Sequence, residues 1–268
     1  MLPFTDQTTR TITLTQLPKR IISLVPSQTE LLYDLGLREE VVGITKFCVH
    51  PDEWFHNKTR VGGTKQLRMD IIHSLQPDLI IANKEENVKE QVEELSNQYP
   101  TWISDVNNLG DAYDMIRSIG KMTGKENKAV AIIDHIITSF AGLPTPDSRP
   151  DSYRVPTAYL IWRDPYMTVG SDTFIHSMME VAGFINIFEN ETRYPQITVE
   201  QLKEKKPGII LLSSEPFPFR QKHAEELQSA VPETKILLVD GEMFSWYGSR
   251  MLRSAKYFQE LIFRIQKS

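Results

Sequence analysis

Cysteine is nearly absent from this chain, since Cys48 is the only one among 268 residues. An internal disulfide framework is therefore excluded. No apolar run approaches the ~20 residues that span a bilayer as a helix. No block of Lys or Arg stands out, and the net charge is −5. Binding to nucleic acid or to an anionic membrane is not indicated, and we expect neither.

Several enzyme motifs are also missing. The sequence has no GxGxxG after a strand, no GxxxxGK[ST], no HExxH and no GxSxG. Their absence argues against the commonest nucleotide-dependent enzymes and hydrolases. The N-terminal stretch "MLPFTDQTTRTITL" alternates polar and apolar residues and lacks the parts of a signal peptide. It predicts a β-strand or hairpin arm, and a cytoplasmic protein if the chain is complete.

An internal repeat is the first positive signal. Residues 69–86 align without a gap to residues 199–216, and each segment predicts a short helix, a buried strand and a polar loop. The matched pairs are Asp70 with Glu200, Pro77 with Pro207, Ile80 with Ile210, and Glu85 with Glu215. Both halves run strand–helix–strand–helix–strand, which predicts two α/β lobes with mainly parallel sheets.

A long amphipathic helix is predicted between the lobes. The apolar stripe that indicates it consists of Ala129, Ile132, Ile133, Ile136, Ile137 and Phe140. From residue 125 to 143 such a helix is roughly 28 Å long, and 144–152 predicts an irregular exit. The predicted domains are an N-terminal lobe, 1–112, a connecting helical segment, 113–145, and a C-terminal lobe, 146–268.

Ligands of open α/β sheets bind beyond the carboxyl ends of the strands, so the loops there predict one cleft between the lobes. These loops carry aromatic and fixed polar groups suited to a large flat or chelated ligand. The ligand-binding residues that we predict are Pro26, Ser27, Phe47, His50, Lys65, Asn83, Trp162, Arg163, Tyr166, Tyr194, Glu215, Phe217, Trp246, Tyr247 and Arg250.

Cys48 and His50, in "GITKFCVHPDEW", have several interpretations: a ligand-contacting wall, structural packing, metal coordination or catalysis. Two ligands are too few for a metal site by themselves, and no orienting group for catalysis is visible. Glu215 is either a ligand contact or a loop acid. His135 and His223 are predicted on solvated helix faces.

Five segments of the chain resemble one known family. They are "KRIISLVPSQTELLYDLGL", "VVGITKF", "DIIHSLQPDLIIA", the connecting helix and "YPQITVEQLKEKKPGIILLSS". These resemble the helical-backbone periplasmic binding proteins, which serve ABC importers of vitamin B12, haem and ferric siderophores, and the similarity spans residues 10–265. The resemblance implies a chelate bound between lobes that move little, because the connecting helix is stiff.

The resemblance also implies roles for particular residues. Asp70 and Glu200 correspond to the acids that dock onto arginines of the permease. Compared with the vitamin B12-binding member, Thr64 and Lys65 stand where that protein has an indole against the corrin. Tyr194 stands at a second indole, Trp162 at a phenylalanine and His50 at a tyrosine. Lys65, Arg163 and Arg250 would equally suit the carboxylates of haem or a siderophore.

These observations predict a monomeric substrate-binding protein of an ABC importer. It would bind a ferric siderophore, haem or cobalamin, with no reaction, no intrinsic cofactor and no metal site of its own. The resemblance implies the periplasm or cell envelope. The alternative is a cytoplasmic enzyme or carrier that handles a corrinoid or metal on the same scaffold, with His50, His176 and Glu215 as its active groups.

Overall fold

The computed structural model of the chain describes residues 2–143 and 155–267. The described residues form two compact units. The first unit consists of 2–106, 110–135 and 247–250, and the second of 107–109, 136–143, 155–246 and 251–267. The predicted division at 112/113 and 145/146 stays a prediction, since its second boundary lies outside the described residues.

The N-terminus forms the predicted hairpin. Strand β1 (Leu2–Thr5) pairs antiparallel with β2 (Thr11–Leu14). The carboxylate Oδ1 of Asp6 accepts hydrogen bonds from the backbone N–H of Thr8 and Arg10, each at 2.9 Å, and this closes the turn. Alternate residues of β2 are buried, as expected for a strand with one face on the protein.

A five-stranded parallel sheet forms the centre of the first unit. Its strands are β3 (Ile21–Ser23), β4 (Val41–Ile44), β5 (Thr59–Arg60), β8 (Leu79–Asn83) and β9 (Thr101–Ser104), in the order β5-β4-β3-β8-β9. The connecting elements are α1 (Pro26–Asp34), α2 (Asp52–Asn57), the hairpin β6 (Gly62–Gly63) and β7 (Gln66–Leu67), α3 (Met69–Leu75), α4 (Lys89–Ser96) and α5 (Leu109–Met122). Every residue of β8 is buried, because its apolar run is covered on both faces.

The second unit has a four-stranded parallel sheet. Its strands are β10 (Val155–Leu160), β12 (Phe184–Asn186), β14 (Ile209–Ser213) and β15 (Lys235–Val239), in the order β12-β10-β14-β15. The other elements are the pair β11 (Tyr166–Met167) and β13 (Gln196–Ile197), with α7 (Phe174–Val181), α8 (Val199–Lys205), α9 (Gln221–Ala230), α10 (Glu242–Ser245) and α11 (Met251–Lys267). The mainly parallel α/β architecture predicted from the sequence is confirmed.

The repeat is visible in the backbone itself. Helix α3 ends at Gln76 (φ +43°) and helix α8 at Lys206 (φ +47°), two left-handed residues that each precede a proline. A residue before proline is disfavoured in the helical region, so both helices stop at the same point of the repeat. Each is then followed by a fully buried strand.

Helix α6 (Glu126–Ala141) carries the chain from the first unit, which contains its residues through 135, into the second. Its 16 residues extend over about 24 Å. Four members of the predicted stripe are buried, but Ile137, at the margin of the stripe, is 46% exposed. The predicted connecting helix is thus confirmed, whereas the exit at 144–152 lies outside the described residues. No described helix is long and apolar enough to cross a bilayer.

Candidate functional site

The loops at the carboxyl ends of β3, β4 and β8, together with two further segments, carry the candidate residues of the first unit. We call residues 24–27, 45–51, 62–67, 83–87 and 247–250 the first loop surface. Phe47 is 50% exposed, and the exposed Lys65 donates from Nζ to the carbonyl of Glu85 at 2.6 Å. Of the other predicted residues on this surface, His50 is half-buried. The remaining ones are buried: Pro26, Ser27, Asn83, Tyr247 and Arg250.

Asn83 organises the loop that follows β8. Its Oδ1 accepts from the backbone N–H of Glu85 at 2.8 Å and of Glu86 at 2.9 Å. Its Nδ2 donates to Oγ of Ser104 at 3.0 Å, on the neighbouring strand β9. This side chain is 2% exposed, and it stabilises the loop by hydrogen bonds to the loop backbone.

The segment 247–250 follows the second unit in the chain but belongs to the first. Tyr247 donates from Oη to Oε1 of Glu86 at 3.1 Å, and Arg250 donates from Nε to Oε2 of Glu30 at 2.8 Å. The last two side chains are 4% and 6% exposed, so their ion pair is buried. Gly248 (φ +146°) allows a close approach, because a Cβ there would lie 3.2 Å from the carbonyl oxygen of Ser27. Glu86 and Glu30 were not predicted, since they are 161 and 220 positions away from their partners.

Cys48 is completely buried beneath the first loop surface. Oγ1 of Thr29 donates to its Sγ at 3.1 Å, and the hydroxyl of Thr45 lies 3.2 Å away. Burial raises the pKa of the Cys48 thiol to about 11, so it remains protonated at neutral pH. Packing is the interpretation that this environment favours. Among the described residues, no three His, Cys, Asp or Glu side chains converge as a metal site would require.

Aromatic rings are more numerous in the corresponding loops of the second unit. We call residues 161–168, 193–197, 213–219 and 240–246 the second loop surface. Trp162 is 40% exposed, and its ring centroid lies 5.7 Å from that of Phe217 in an edge-on arrangement. The guanidinium of Arg163 lies 2.5 Å from the carboxylate of Glu226. Tyr166, Phe217 and Tyr194 are half-buried.

His223 is not on a solvated helix face, so that prediction is wrong. It is 6% exposed, and its ring lies 5.3 Å from Phe217 and 5.8 Å from Phe219. The phenylalanines fold over the first turn of α9, and Nδ1 of His223 accepts from the backbone N–H of Arg220 at 3.0 Å. Burial lowers the pKa of this imidazole and favours its neutral form. His135 is exposed, as predicted.

Glu215 lies half-buried in the second loop surface. The indole Nε1 of Trp246 donates to its Oε1 at 3.0 Å, and the hydroxyl of Ser245 donates to the same oxygen. Burial raises the pKa of the Glu215 carboxyl, although both hydrogen bonds oppose this effect. Gly241 permits the packing, because a Cβ there would lie 2.7 Å from Cγ of Glu215. Trp246, at 7% exposure, is therefore held in a fixed orientation.

Tyr194 lies on a strained turn of the second unit. Its neighbour Arg193 has φ +54°, and the guanidinium carbon of Arg193 is 5.5 Å from the centre of the Tyr194 ring. Arg193 donates from Nη1 to the side chain of Asn107 at 2.9 Å and from its backbone N–H to Asp172 at 2.5 Å. These contacts stabilise a backbone conformation that disfavours side chains.

Asp70 and Glu200 occupy equivalent places, in the first turns of α3 and α8, and both are exposed. Arg68 lies 3.1 Å from the carboxylate of Asp70, and its hydrogen bond lowers the pKa of that carboxyl. Glu200 has no ion pair with any described residue. Two equivalent acids therefore face solvent, one of them beside an arginine of its own unit.

Three comparisons place the chain among known proteins. Its sequence matches the family described as "Periplasmic binding protein" over residues 21–235. It is 24% identical to the ABC transporter substrate-binding lipoprotein YvrC of Bacillus subtilis, over 96% of this chain and 84% of YvrC. It is 24% identical to the vitamin B12-binding protein of Pectobacterium carotovorum, over 90% of this chain and 87% of that protein.

A solved structure supports the fold. The periplasmic heme-binding protein HutB of Vibrio cholerae is 22% identical and has a TM-score of 0.76, with 91% of this chain and 98% of HutB covered. At this identity the likeness concerns the fold alone. The resemblance inferred from the sequence is confirmed by the family match and by this architecture.

Proposed function

We propose, from the premise that this chain belongs to the periplasmic binding protein family, that the ligand it binds for an ABC-type importer is a metal chelate. The chelate is a ferric siderophore, haem or cobalamin. The chain acts as a monomer, holds no cofactor of its own and performs no reaction on the ligand. The observation that carries the proposal is Trp162, a large ring left 40% exposed beyond the carboxyl end of β10.

An exposed ring favours a flat or bulky ligand for a physical reason. Tryptophan buries a large apolar area with only two rotatable side-chain bonds, so it loses little entropy on binding. The edge-on contact with Phe217 supports the ring of Trp162 before any ligand arrives. Pre-organisation of this kind lowers the cost of binding. Phe47, 50% exposed, offers a second ring on the first loop surface.

Charge on the loop surfaces suits the acidic groups that many chelates carry. Lys65 and Arg163 are the predicted cations that reach solvent, the second already beside Glu226. Arg250 differs, because its side chain is 4% exposed and pairs with Glu30. Within this proposal Lys65 and Arg163 contact the ligand's acidic groups, while Arg250 holds the segment that carries Tyr247 in place.

The proposal is tested by titrating the purified chain with cyanocobalamin, haemin and ferrioxamine, followed by calorimetry and visible absorption. We expect one of them to bind stoichiometrically and remain chemically unchanged. The variant Trp162→Ala should weaken that binding about 30-fold, the scale of a central aromatic contact. Leu252→Ala, at a residue of α11 that is 37% exposed, is the matched control and should leave it unchanged.

Two outcomes contradict the proposal. One is that none of the three chelates binds more tightly than about millimolar, a level at which recognition contributes only ~4 kcal/mol. The other is that Trp162→Ala and Leu252→Ala bind alike. Conversion of a chelate during the titration would instead support the enzyme or carrier.

Docking onto the permease belongs to the same proposal. Asp70 and Glu200 are placed equivalently in the two units, and exposed acids of this kind suit basic residues of a membrane partner. Charge reversal at both (Asp70→Lys with Glu200→Lys) should abolish uptake of the chelate by cells while its affinity for the purified chain stays the same. Glu90→Lys, at another exposed acid in a first helical turn, is the control and should leave uptake intact.

A further inference from the structure

Three segments of the first loop surface meet at one buried amide side chain, Asn87, which is 5% exposed. Its Nδ2 donates to the carbonyl of Leu24 at 3.3 Å and to the carbonyl of Thr64 at 3.1 Å. Its Oδ1 accepts from the backbone N–H of Asn83 at 2.8 Å. A single side chain thus bonds to backbone groups from three separate parts of the sequence.

Each of these backbone groups adjoins a predicted ligand contact. Leu24 comes two residues before Pro26, where α1 begins without a side-chain cap. Thr64 is in the turn between β6 and β7 and immediately precedes Lys65. Asn83 is the last residue of β8. A change in the Asn87 side chain would therefore alter the hydrogen bonding of the backbone at all three places.

The turn that carries Lys65 depends on such outside support. Strands β6 and β7 have two residues each, too few for a stable hairpin. Gln91, on α4, adds to this support: its Oε1 accepts from the backbone N–H of Leu67 at 2.8 Å, and its Nε2 donates to the carbonyl of Lys65 at 3.2 Å. Two side chains that follow β8, those of Asn87 and Gln91, thus contribute to holding the turn.

We propose that Asn87 is the positioning residue of the first loop surface. It sets the start of α1, the Lys65 turn and the loop after β8 relative to one another, and the ligand then meets a preformed arrangement. This inference rests on the proposed function, since it assigns Asn87 a part in chelate binding. The amide is suited to the role because it provides two donors for carbonyls and one acceptor for an N–H.

The variant Asn87→Asp tests this role with almost no change of shape. It keeps an acceptor for Asn83 but replaces both donors by oxygen, which faces the carbonyls of Leu24 and Thr64. Affinity for whichever of cyanocobalamin, haemin or ferrioxamine the wild type binds should fall about tenfold to thirtyfold, the effect of two hydrogen bonds. Without ligand, amide hydrogen exchange in 62–68 and 83–87 should accelerate by about tenfold or more, because these segments open more readily.

Asp6→Asn is the matched control. Asp6 is also 5% exposed, and its Oδ1 accepts three hydrogen bonds, from the N–H of Thr8, the hydroxyl of Thr8 and the N–H of Arg10. It holds the N-terminal hairpin, which carries no predicted ligand contact. This variant should speed exchange in the hairpin only and leave the affinity within about twofold.

Two further variants keep the test decisive. Gln91→Glu loses only the donor to the carbonyl of Lys65, at a half-buried position, and should act in the same direction as Asn87→Asp but less strongly. If Asn87 acts through the Lys65 turn, the losses of affinity in Asn87→Asp and Lys65→Ala should not add in the double variant. Should Asn87→Asp fail to fold, Gln91→Glu and its cycle with Lys65→Ala decide.

The outcomes separate this inference from the proposed function. If the wild type binds none of the three chelates, the proposed function fails, while the exchange rates still decide whether Asn87 holds the three segments. Unchanged exchange in Asn87→Asp would overturn the inference. So would faster exchange with unchanged affinity, because Asn87 would then support the backbone without positioning the ligand contacts.

Discussion

The two loop surfaces follow the same strand and helix order, but at one corresponding position different kinds of contact support the loop. One position beyond the repeat, Asn87 of the first unit corresponds to Phe217 of the second, 130 positions later. Asn87 bonds to three backbone groups, whereas Phe217 makes an edge-on ring contact with Trp162. The comparison teaches that a repeated backbone fixes where a loop emerges, while the side chains decide whether hydrogen bonds or rings hold it.

The outermost strands of the two sheets differ as well. Every residue of β9 is buried, and the N-terminal hairpin covers that edge: the backbone N–H of Gln7 donates to the carbonyl of Ile103 at 3.1 Å. Strand β15 takes the same place in the second sheet, but Leu238 is 37% exposed. No hairpin covers β15 among the described residues. The first unit thus has a more completely covered sheet.

The largest expected effect on stability concerns one ion pair in each unit, Arg250 with Glu30 and Arg163 with Glu226. Arg250→Ala removes the guanidinium that pairs with the buried carboxylate of Glu30 and should lower the free energy of unfolding by about 3–5 kcal/mol. Arg163→Ala removes an ion pair whose Glu226 side chain is 53% exposed, and water screens such a pair, so about 1 kcal/mol or less is expected. Urea unfolding of both variants measures the difference.

An apolar replacement of the buried pair is the control for this prediction. The double variant Glu30→Leu with Arg250→Met removes both charges and should recover most of the lost stability. Equal losses in Arg250→Ala and Arg163→Ala would show that burial does not distinguish the two ion pairs.

The edges of the sheets give the next largest effect. Ile103→Ala, at a residue 8% exposed, should cost about 2–4 kcal/mol, because it leaves a cavity in the core cluster that includes Val92 and Leu95. Leu238→Ala, at the corresponding place of β15, should cost about 1 kcal/mol or less. Thermal and urea unfolding would measure both. A loss at Leu238 as large as that at Ile103 would mean that β15 is covered after all.

The smallest expected effect concerns pH and belongs to the second unit. Burial raises the pKa of Glu215 above its ordinary value of 4.5, so the folded state binds this proton more tightly than the unfolded state. The free energy of unfolding should therefore fall as the pH rises from 4.5 through the folded pKa. Glu215→Gln keeps an acceptor for Trp246 and should flatten this decline in urea unfolding at pH 5 and pH 8.

Glu225→Gln is the control for the pH prediction, since that side chain is exposed on α9. Its pH dependence should match the wild type. The prediction would be wrong if Glu215→Gln kept the wild-type slope, or if it became less stable at pH 8 than at pH 5 relative to the wild type.

Much of the fold was accessible from local pattern. The apolar runs of β8 and β14, the breaks before Pro77 and Pro207, and the stripe of α6 are signals between near neighbours in the chain. Each predicted its element correctly, although Ile137 at the margin of the stripe is exposed. His223 was misread because the phenylalanines that cover it come from the preceding loop, whose course no periodicity describes. The predicted ligand contacts themselves stay predictions.

Spacing and polarity along the chain were enough for two α/β units with mainly parallel sheets and for the helix that runs from one to the other. Both follow from interactions over a few residues, which repeat in the sequence. Only the folded chain decided that Arg250 meets Glu30, 220 positions away, and that Tyr247 belongs to the first unit while Trp246 belongs to the second. Such pairings depend on where the backbone brings distant segments together, and a pattern among neighbouring residues carries no information on contacts between residues so far apart in the sequence.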